Sequence, residues 1–303
     1  MRQLKTTIAV ALALAVSPTF AAALNGTLQK VKETNHIVIG FQEASVPFSY
    51  LDANQKPVGF SIDICMKIVD AVKRELNQPQ LAVDFTPVTA ANRIPLLING
   101  TIDLNCASAT NSAERQKQVA FTNSHFMTAN RFAAKKSSNL HKIDDLKGKT
   151  VVSVAGSTNI NELNKINVER NLGINVVAAK DQLEAFLMLE TGRAQAYVLD
   201  DVQLAVAIAR SKDPAGYVIS DDAFSKPEPY GIMFRKDDPA FKALADRVTA
   251  GIYQSPEIDT LYKKWFQSPV PPNGINFNYS MPQVLRNAYK KPSSSFDPNA
   301  YAQ

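Results

Sequence analysis

The chain predicts an α/β protein with mostly parallel sheets covered by helices. Three observations predict this. Short apolar runs of strand length alternate with longer segments whose apolar residues recur at helical spacing. The alternation occurs twice, once on each side of about residue 140. The composition, 45% hydrophobic and 20% charged over 303 residues, is that of an ordinary globular chain large enough for one big domain or two medium ones.

The first segment is expected to lie outside the fold. Arg2 and Lys5 precede the apolar run 8–16 (IAVALALAV), which is too short to span a bilayer. Ser17 and Pro18 break that run, and the small residues around 19–23 suit cleavage. Residues 1–23 therefore read as a secretory signal peptide, and the rest as an exported protein. Residues 37–41 (IVIGF) read as a buried strand. In 60–76, Ile64, Ile68, Val72 and Leu76 recur every fourth residue, which is a helix face. Residues 81–88 alternate as a strand, 91–99 read as a helix and 102–106 as a strand. The segment 111–120 reads as a helix with Asn111 as N-cap and Glu114 at its third position.

The second half repeats this order. Strands are expected at 150–154, 176–178, 196–199 and 230–234. Helices are expected at 160–170, 182–191, 201–211, 239–254 and 258–266. After Pro269 proline and asparagine dominate, so the tail reads as irregular surface chain with a short helix at 284–288.

Composition narrows the function. With Arg2 and Lys5 removed, the excess of 33 basic over 28 acidic residues shrinks to a small, scattered surplus, so no nucleic acid is expected as a partner. His36, His125 and His141 are dispersed, and neither a zinc site nor a cofactor motif is present. Cys65 and Cys106 could join in an exported protein. Each sits in an apolar element, however, where a free cysteine acts as a small hydrophobe, and free thiols are the expectation. There is no nucleophile elbow, no His-Glu-x-x-His and no phosphate-binding loop.

The chemistry sits instead at strand ends, where open α/β sheets bind ligands. Ser108, Thr110 and Arg115 follow a strand and open a helix, a combination of hydroxyls, first-turn N–H groups and a guanidinium that suits a carboxylate. A helix cap with a solvated arginine would read the same way. Gly156-Ser157-Thr158-Asn159 repeats the arrangement. Asp200 ends an apolar strand, where its carboxylate can meet an ammonium; next to it, Asp201 suits a helix N-cap. Together, Arg115 and Asp200 describe a receptor for an α-amino acid.

Several stretches carry a family resemblance: 45–50 (SVPFSY), 92–97 (NRIPLL), 110–118, 144–149, 231–239 and 264–272, with Lys264-Trp265-Phe266 and Pro269-Val270-Pro271-Pro272. In these the chain resembles the periplasmic amino-acid-binding proteins of ABC importers, nearest the glutamate/aspartate-binding branch. The resemblance implies a two-lobed fold of type II with two hinge strands and the ligand in the cleft between lobes. Lobe one would comprise 24–128 with 233–303, and lobe two 129–232. It also implies a monomer in the periplasm that delivers a small amino-acid ligand to a membrane permease. By resemblance, Ser108, Thr110 and Arg115 hold the α-carboxylate, Asp200 with Ser108 the α-ammonium, and Ser157 and Thr158 close from lobe two.

The chain departs from that branch at the ligand's side chain. Acidic-amino-acid binders carry arginine at Gln42, serine at Ala90 and histidine at Gln182, while Arg93 is kept. Binders of cationic amino acids carry aspartate at Gln42 and an aromatic at Ser45, and neither is present. The expectation is an acidic or polar amino acid, with amides such as glutamine or asparagine as the alternative, because Gln42 and Gln182 both donate and accept. An exported dehydratase on the same fold would need a general acid in the cleft. A soluble partner of a receptor is the remaining alternative.

Overall fold

Two five-stranded sheets built to the same plan organise the computed structural model, which describes residues 25–302. The expected signal peptide lies outside the described residues. The chain opens with α1 (Gly26–Thr34), β1 (His36–Phe41) and the short strands β2 (Ala44–Ser45), β3 (Ser49–Leu51) and β4 (Pro57–Val58). Then come α2 (Phe60–Leu76), β5 (Ala82–Pro87), α3 (Arg93–Ile98), β6 (Leu104–Asn105), the single turn α4 (Ala113–Gln116) and β7 (Val119–Phe121). It leaves through β8 (Phe126–Thr128) and builds the second sheet: β9 (Asn130–Lys135), β10 (Thr150–Val154), α5 (Thr158–Glu169), β11 (Asn175–Ala179), α6 (Gln182–Glu190), β12 (Ala196–Asp200), α7 (Asp201–Ala209) and β13 (Tyr217–Ile219). It returns through β14 (Glu228–Tyr230) to β15 (Met233–Arg235) and closes with α8 (Pro239–Tyr253), α9 (Glu257–Phe266) and α10 (Gln283–Lys290).

The first sheet runs β5-β1-β6-β15-β7 and the second β11-β10-β12-β9-β13. In each, three parallel strands are joined by an antiparallel one that the crossing delivers: β15 against β6, and β9 against β12. The crossing segments pair with each other, Thr128 opposite Glu228 and Phe126 opposite Tyr230 in β8 and β14. This is the two-lobed plan with two connecting strands.

Sequence explains where the helices sit. The fourth-residue face of α2, from Phe60 through Ile64, Ile68 and Val72 to Leu76, is wholly buried. Gly59 starts that helix at φ +139°, and a Cβ there would lie 2.2 Å from the Phe48 carbonyl oxygen, so only glycine lets α2 pack so close to β3. Beneath it, Phe48 meets Phe126 at 4.9 Å and Tyr230 at 5.3 Å, and Phe126 meets Phe266 at 5.1 Å. This aromatic cluster fastens both crossing strands to the first lobe's core. The second lobe has its own core around Phe132, Ile143, Leu146, Leu163 and Val198.

The structure corrects four expectations. Cys65 and Cys106 are bonded, with their Cα atoms 6.2 Å apart, because α2 lies directly over the end of β6. The helix expected over 111–120 is one turn long, and its N-cap is Ser112, whose hydroxyl accepts from the Arg115 N–H. Asn111 instead gives its N–H to Pro229 and its amide to the Ser294 carbonyl, while Val119 and Phe121 face inward as β7. The strand expected at 230–234 is two strands in different sheets, divided where Gly231 bonds to Ala109 and Ile232 to Thr122. The tail is less superficial than expected. Met281, Leu285, Ala288, Tyr289 and Tyr301 are buried in the first core, and Ser293 and Ser294 hydrogen-bond Ser124, Asn111 and Gln116.

The disulfide closes a loop with a sequence separation of 41. Replacing both cysteines with alanine is expected to lower unfolding free energy by about 2–4 kcal/mol, through the loop entropy returned to the unfolded chain. Denaturant unfolding with and without reductant checks this; equal midpoints for wild type and variant would count against it.

Candidate functional site

Every polar group singled out at a strand end comes to the same place. The parallel strands of the two sheets point their C-terminal ends at one another, and loops from both lobes meet there. From the first lobe come Gln42 after β1, Ser45 in β2, Ala90 ahead of α3, Arg93 at its start, Ser108 and Thr110 after β6, and Arg115 in α4. From the second come Ser157 and Thr158 at the start of α5, Gln182 at the start of α6, and Asp200 at the end of β12. Ten of these eleven line one narrow cleft, about 330 Å3 with its open mouth included. Ser45 stands just behind, its hydroxyl 2.8 Å from that of Ser108.

The charges in this cavity are unusual. Arg93 is 3% exposed and Arg115 7%, yet neither is within ion-pair distance of a carboxylate among the described residues. Among the described residues Arg93 donates only to the Ser108 carbonyl, at 3.4 Å, and its Nε has no partner. Arg115 donates to the Thr110 carbonyl at 2.9 Å and, across the cleft, to the Gly156 carbonyl at 3.5 Å. Burial pushes the Arg93 guanidinium well below its ordinary value, and the neighbouring Arg115 pushes it further. Burial lowers Arg115 too, against the opposing pull of Glu228 and Asp200. Two desolvated cations side by side favour an anion between them.

Asp200 supplies the opposite sign. It is 4% exposed and accepts hydrogen bonds from Asn159 Nδ2 at 2.9 Å and from the Tyr230 hydroxyl. Burial raises its carboxyl to about 6, although the Tyr230 and Asn159 hydrogen bonds pull it down. Glu228 is raised to about 7 by burial and by the charge of Asp200, and its Oε2 is buried without a hydrogen-bond partner among the described residues. The cavity thus presents cations at one side and a buried acid at the other. That arrangement suits a small solute carrying both charges.

Three residues here escaped the sequence reading as site groups, Gln203, Glu228 and Tyr230, and Asn159 was read only as part of the 156–159 cluster. Gln203, in the first turn of α7, reaches across the cleft to the Ser45 hydroxyl at 2.8 Å and the Ser108 hydroxyl at 3.3 Å. Tyr230 bonds to both Asp200 and Gln203 from the crossing strand. Asn159 stood next to Ser157 and Thr158, and Gln203 three residues past Asp200, so their proximity to the motifs was the available signal. Ser157 is more committed than expected: its hydroxyl caps α5 by accepting from Ile160 and donates to Val154. Thr158 donates to Thr110 across the cleft at 3.1 Å.

A model of the bacterial extracellular solute-binding proteins, family 3, matches residues 37–268. The L-glutamate/L-aspartate-binding protein of Pseudomonas aeruginosa is 44% identical over 286 residues, 94% of either chain. The glutamate/aspartate import solute-binding protein of Escherichia coli is 42% identical over 286 residues, again 94% of each. Among solved structures, an ancestral arginine-binding protein bound to arginine superposes with a TM-score of 0.68 at 30% identity, covering 77% of this chain and 98% of that one. The two-lobed type II fold implied by the resemblance is the fold observed.

Two predictions arise here. In the unfolded chain, both carboxyls lose their protons near the ordinary values, around pH 4. In the fold they hold them to about 6 and about 7. The folded state therefore binds more protons over that range, and stability without ligand falls as pH rises through it. Glu228→Gln is expected to be near neutral at pH 4 and to stabilise by about 1–3 kcal/mol at pH 8. Urea unfolding at both pH values reads this, and an equal effect at both would refute it. The second concerns Gly156, whose φ is +74° and where a Cβ would lie 2.5 Å from Ala91 Cα across the cleft. Gly156→Ala is expected to hold the lobes apart, giving a larger radius of gyration in small-angle scattering than wild type under ligand-saturated conditions.

Proposed function

The chain belongs to the bacterial extracellular solute-binding proteins of family 3, and on that premise we propose that it captures an acidic or polar α-amino acid and hands it to the permease of an ABC importer. The observation that carries this reading is the pair of buried guanidiniums without a carboxylate, facing a buried carboxylate across a small cavity shared by both lobes. The relatives named for glutamate and aspartate support the same class of ligand.

In this reading the α-carboxylate lies against Arg115 and the Thr110 hydroxyl, at the start of α4. The α-ammonium lies against Asp200, with the Ser108 hydroxyl beside it. The ligand side chain points toward Arg93, Ala90, Gln42 and Gln182. Thr158 and the first-turn N–H groups of α5 close over the head from lobe two. Lobe one is made of the segments up to 128 and from 233, and lobe two of 129–232. The crossing strands β8 and β14 bend as the lobes come together. The protein is exported to the periplasm, works as a monomer and makes or breaks no bond in its ligand.

The energetics are consistent with the task. Micromolar capture needs about −8 kcal/mol. Without a ligand, the closed cleft keeps Arg93 and Arg115 desolvated together, which is unfavourable. A ligand carboxylate converts that penalty into an attraction, so closure depends on the solute. The side-chain end decides specificity. Arg93 is the one charged donor there, and Gln42 and Gln182 are amides, so glutamate, aspartate, glutamine and asparagine all belong in the comparison.

Arg115→Ala is the decisive variant. It is expected to weaken amino-acid binding by about 2–5 kcal/mol, in the range for truncating a buried charge pair. Stability without ligand should be unchanged or higher, since an unpaired buried cation is removed. Calorimetric titration of the four amino acids, with circular dichroism of the variant, makes the measurement. Unchanged affinity in Arg115→Ala, or no binding of any of the twenty amino acids by the wild type, would sink the proposal.

A further inference from the structure

A second cavity, about 870 Å3 with its open mouth included, adjoins the first between the same two lobes. The two share Gln182, Leu199 and Gln203 in their linings. The second one is walled by Val46 from the first lobe and by Leu183, Phe186, Leu187 and Val206 from α6 and α7. Leu183 and Leu187 are 60% and 53% exposed, high for leucines beside a cleft.

Three polar features mark it as more than a gap. Arg210, at the end of α7, lines it, and no hydrogen bond or ion pair joins its side chain to another described residue. Tyr197 also lines it, fully buried, with a hydroxyl that has no partner among the described residues. Gln42 Oε1, in the lining of the first cavity, is buried without a partner among the described residues, and at the boundary the Gln182 side chain makes no hydrogen bond to a described residue. Unmatched groups of this kind are uncommon in a finished interior. Glu190, the acid in the lining, stands at the far end of α6 from Gln182.

We propose that this second cavity continues the ligand site, and that the protein takes α-amino acids whose side chain runs through an amide to a distal carboxylate. γ-Glutamyl dipeptides are the simplest members of that class. The inference rests on the reading of the first cavity given above. The amino-acid head stays with Arg115 and Asp200. The linking amide has one donor and one acceptor, and the side chains of Gln42 and Gln182 can satisfy both. The second residue lies along the apolar walls of α6 and α7. Its carboxylate meets the Arg210 guanidinium, a pairing that planar geometry favours. A free side-chain carboxylate would meet only Arg93 as a charged donor, whereas an amide fits the two glutamines directly.

The test is calorimetric titration with L-glutamate, L-glutamine, γ-L-glutamylglycine and α-L-glutamylglycine. The proteins are wild type, Arg210→Gln and Ala207→Phe; Ala207 lines only the second cavity, which a phenylalanine there would fill. γ-L-Glutamylglycine is expected to bind within about tenfold of the better free amino acid, with the α-linked isomer at least about a hundredfold weaker, because it lacks a free α-carboxylate at the head. Each variant should weaken γ-L-glutamylglycine by about tenfold or more while leaving L-glutamine within about twofold. Wild type that binds glutamate or glutamine but not γ-L-glutamylglycine would overturn the inference and leave the first reading standing. So would variants that change both ligands alike. If none of the four ligands binds, this inference falls, and the first reading falls with it only if none of the twenty amino acids binds.

Discussion

Two arginines are held away from water with no acid among the described residues to pair with, and much of the architecture exists to keep them so. Leaving buried charge uncompensated is among the least favourable states a fold can hold. Here the chain sustains it with carbonyl oxygens: Ser108 for Arg93, and Thr110 and Gly156 for Arg115. Those acceptors satisfy geometry without neutralising charge. The field in the cleft therefore stays positive near α3 and α4, while Asp200 makes the opposite wall acidic. A solute of the right polarity completes a set of interactions that the protein alone leaves unfinished.

That arrangement rests on a connected set of supports. Asp200 is fixed by Asn159 from α5 and by Tyr230 from the crossing strand, and Tyr230 is itself fixed in the aromatic cluster by Phe48. Gln203 links the same tyrosine to Ser45 and Ser108 on the far lobe. One continuous hydrogen-bond chain thus joins the core of the first lobe, the crossing and the helix starts of the second. Through it, groups from both lobes converge on a single carboxylate.

The sequence made much of this legible, for physical reasons. The fourth-residue face of α2 and the apolar runs of β1, β10 and β12 follow from burial alone, so periodicity reveals them. That the candidate residues would share one place was readable because polar groups at the strand ends of both sheets face each other, and ten of the eleven line one cleft. What stayed hidden depends on distant partners. The Cys65–Cys106 bond requires knowing that α2 overlies β6. The shortness of α4 reflects Asn111 being claimed by Pro229 and Ser294, more than a hundred residues away in sequence. The division between β14 and β15 is invisible in an apolar run that serves two sheets. Gln203 and Tyr230 read as ordinary helix and strand residues until the lobes are brought together.

The tail has a practical consequence. Ser294 holds Asn111 and Gln116, so the last turn of chain braces the loop that carries Thr110 and Arg115. Just beyond, Phe296 and Pro298 border a surface groove whose other wall is Thr158, Glu162 and Lys226 of the second lobe. A dye attached at Phe296, which is 45% exposed, would be anchored to one lobe while its surroundings are set by the other. A label two residues past the Ser294 brace would thus report any change in the spacing of the two groove walls as a change in emission.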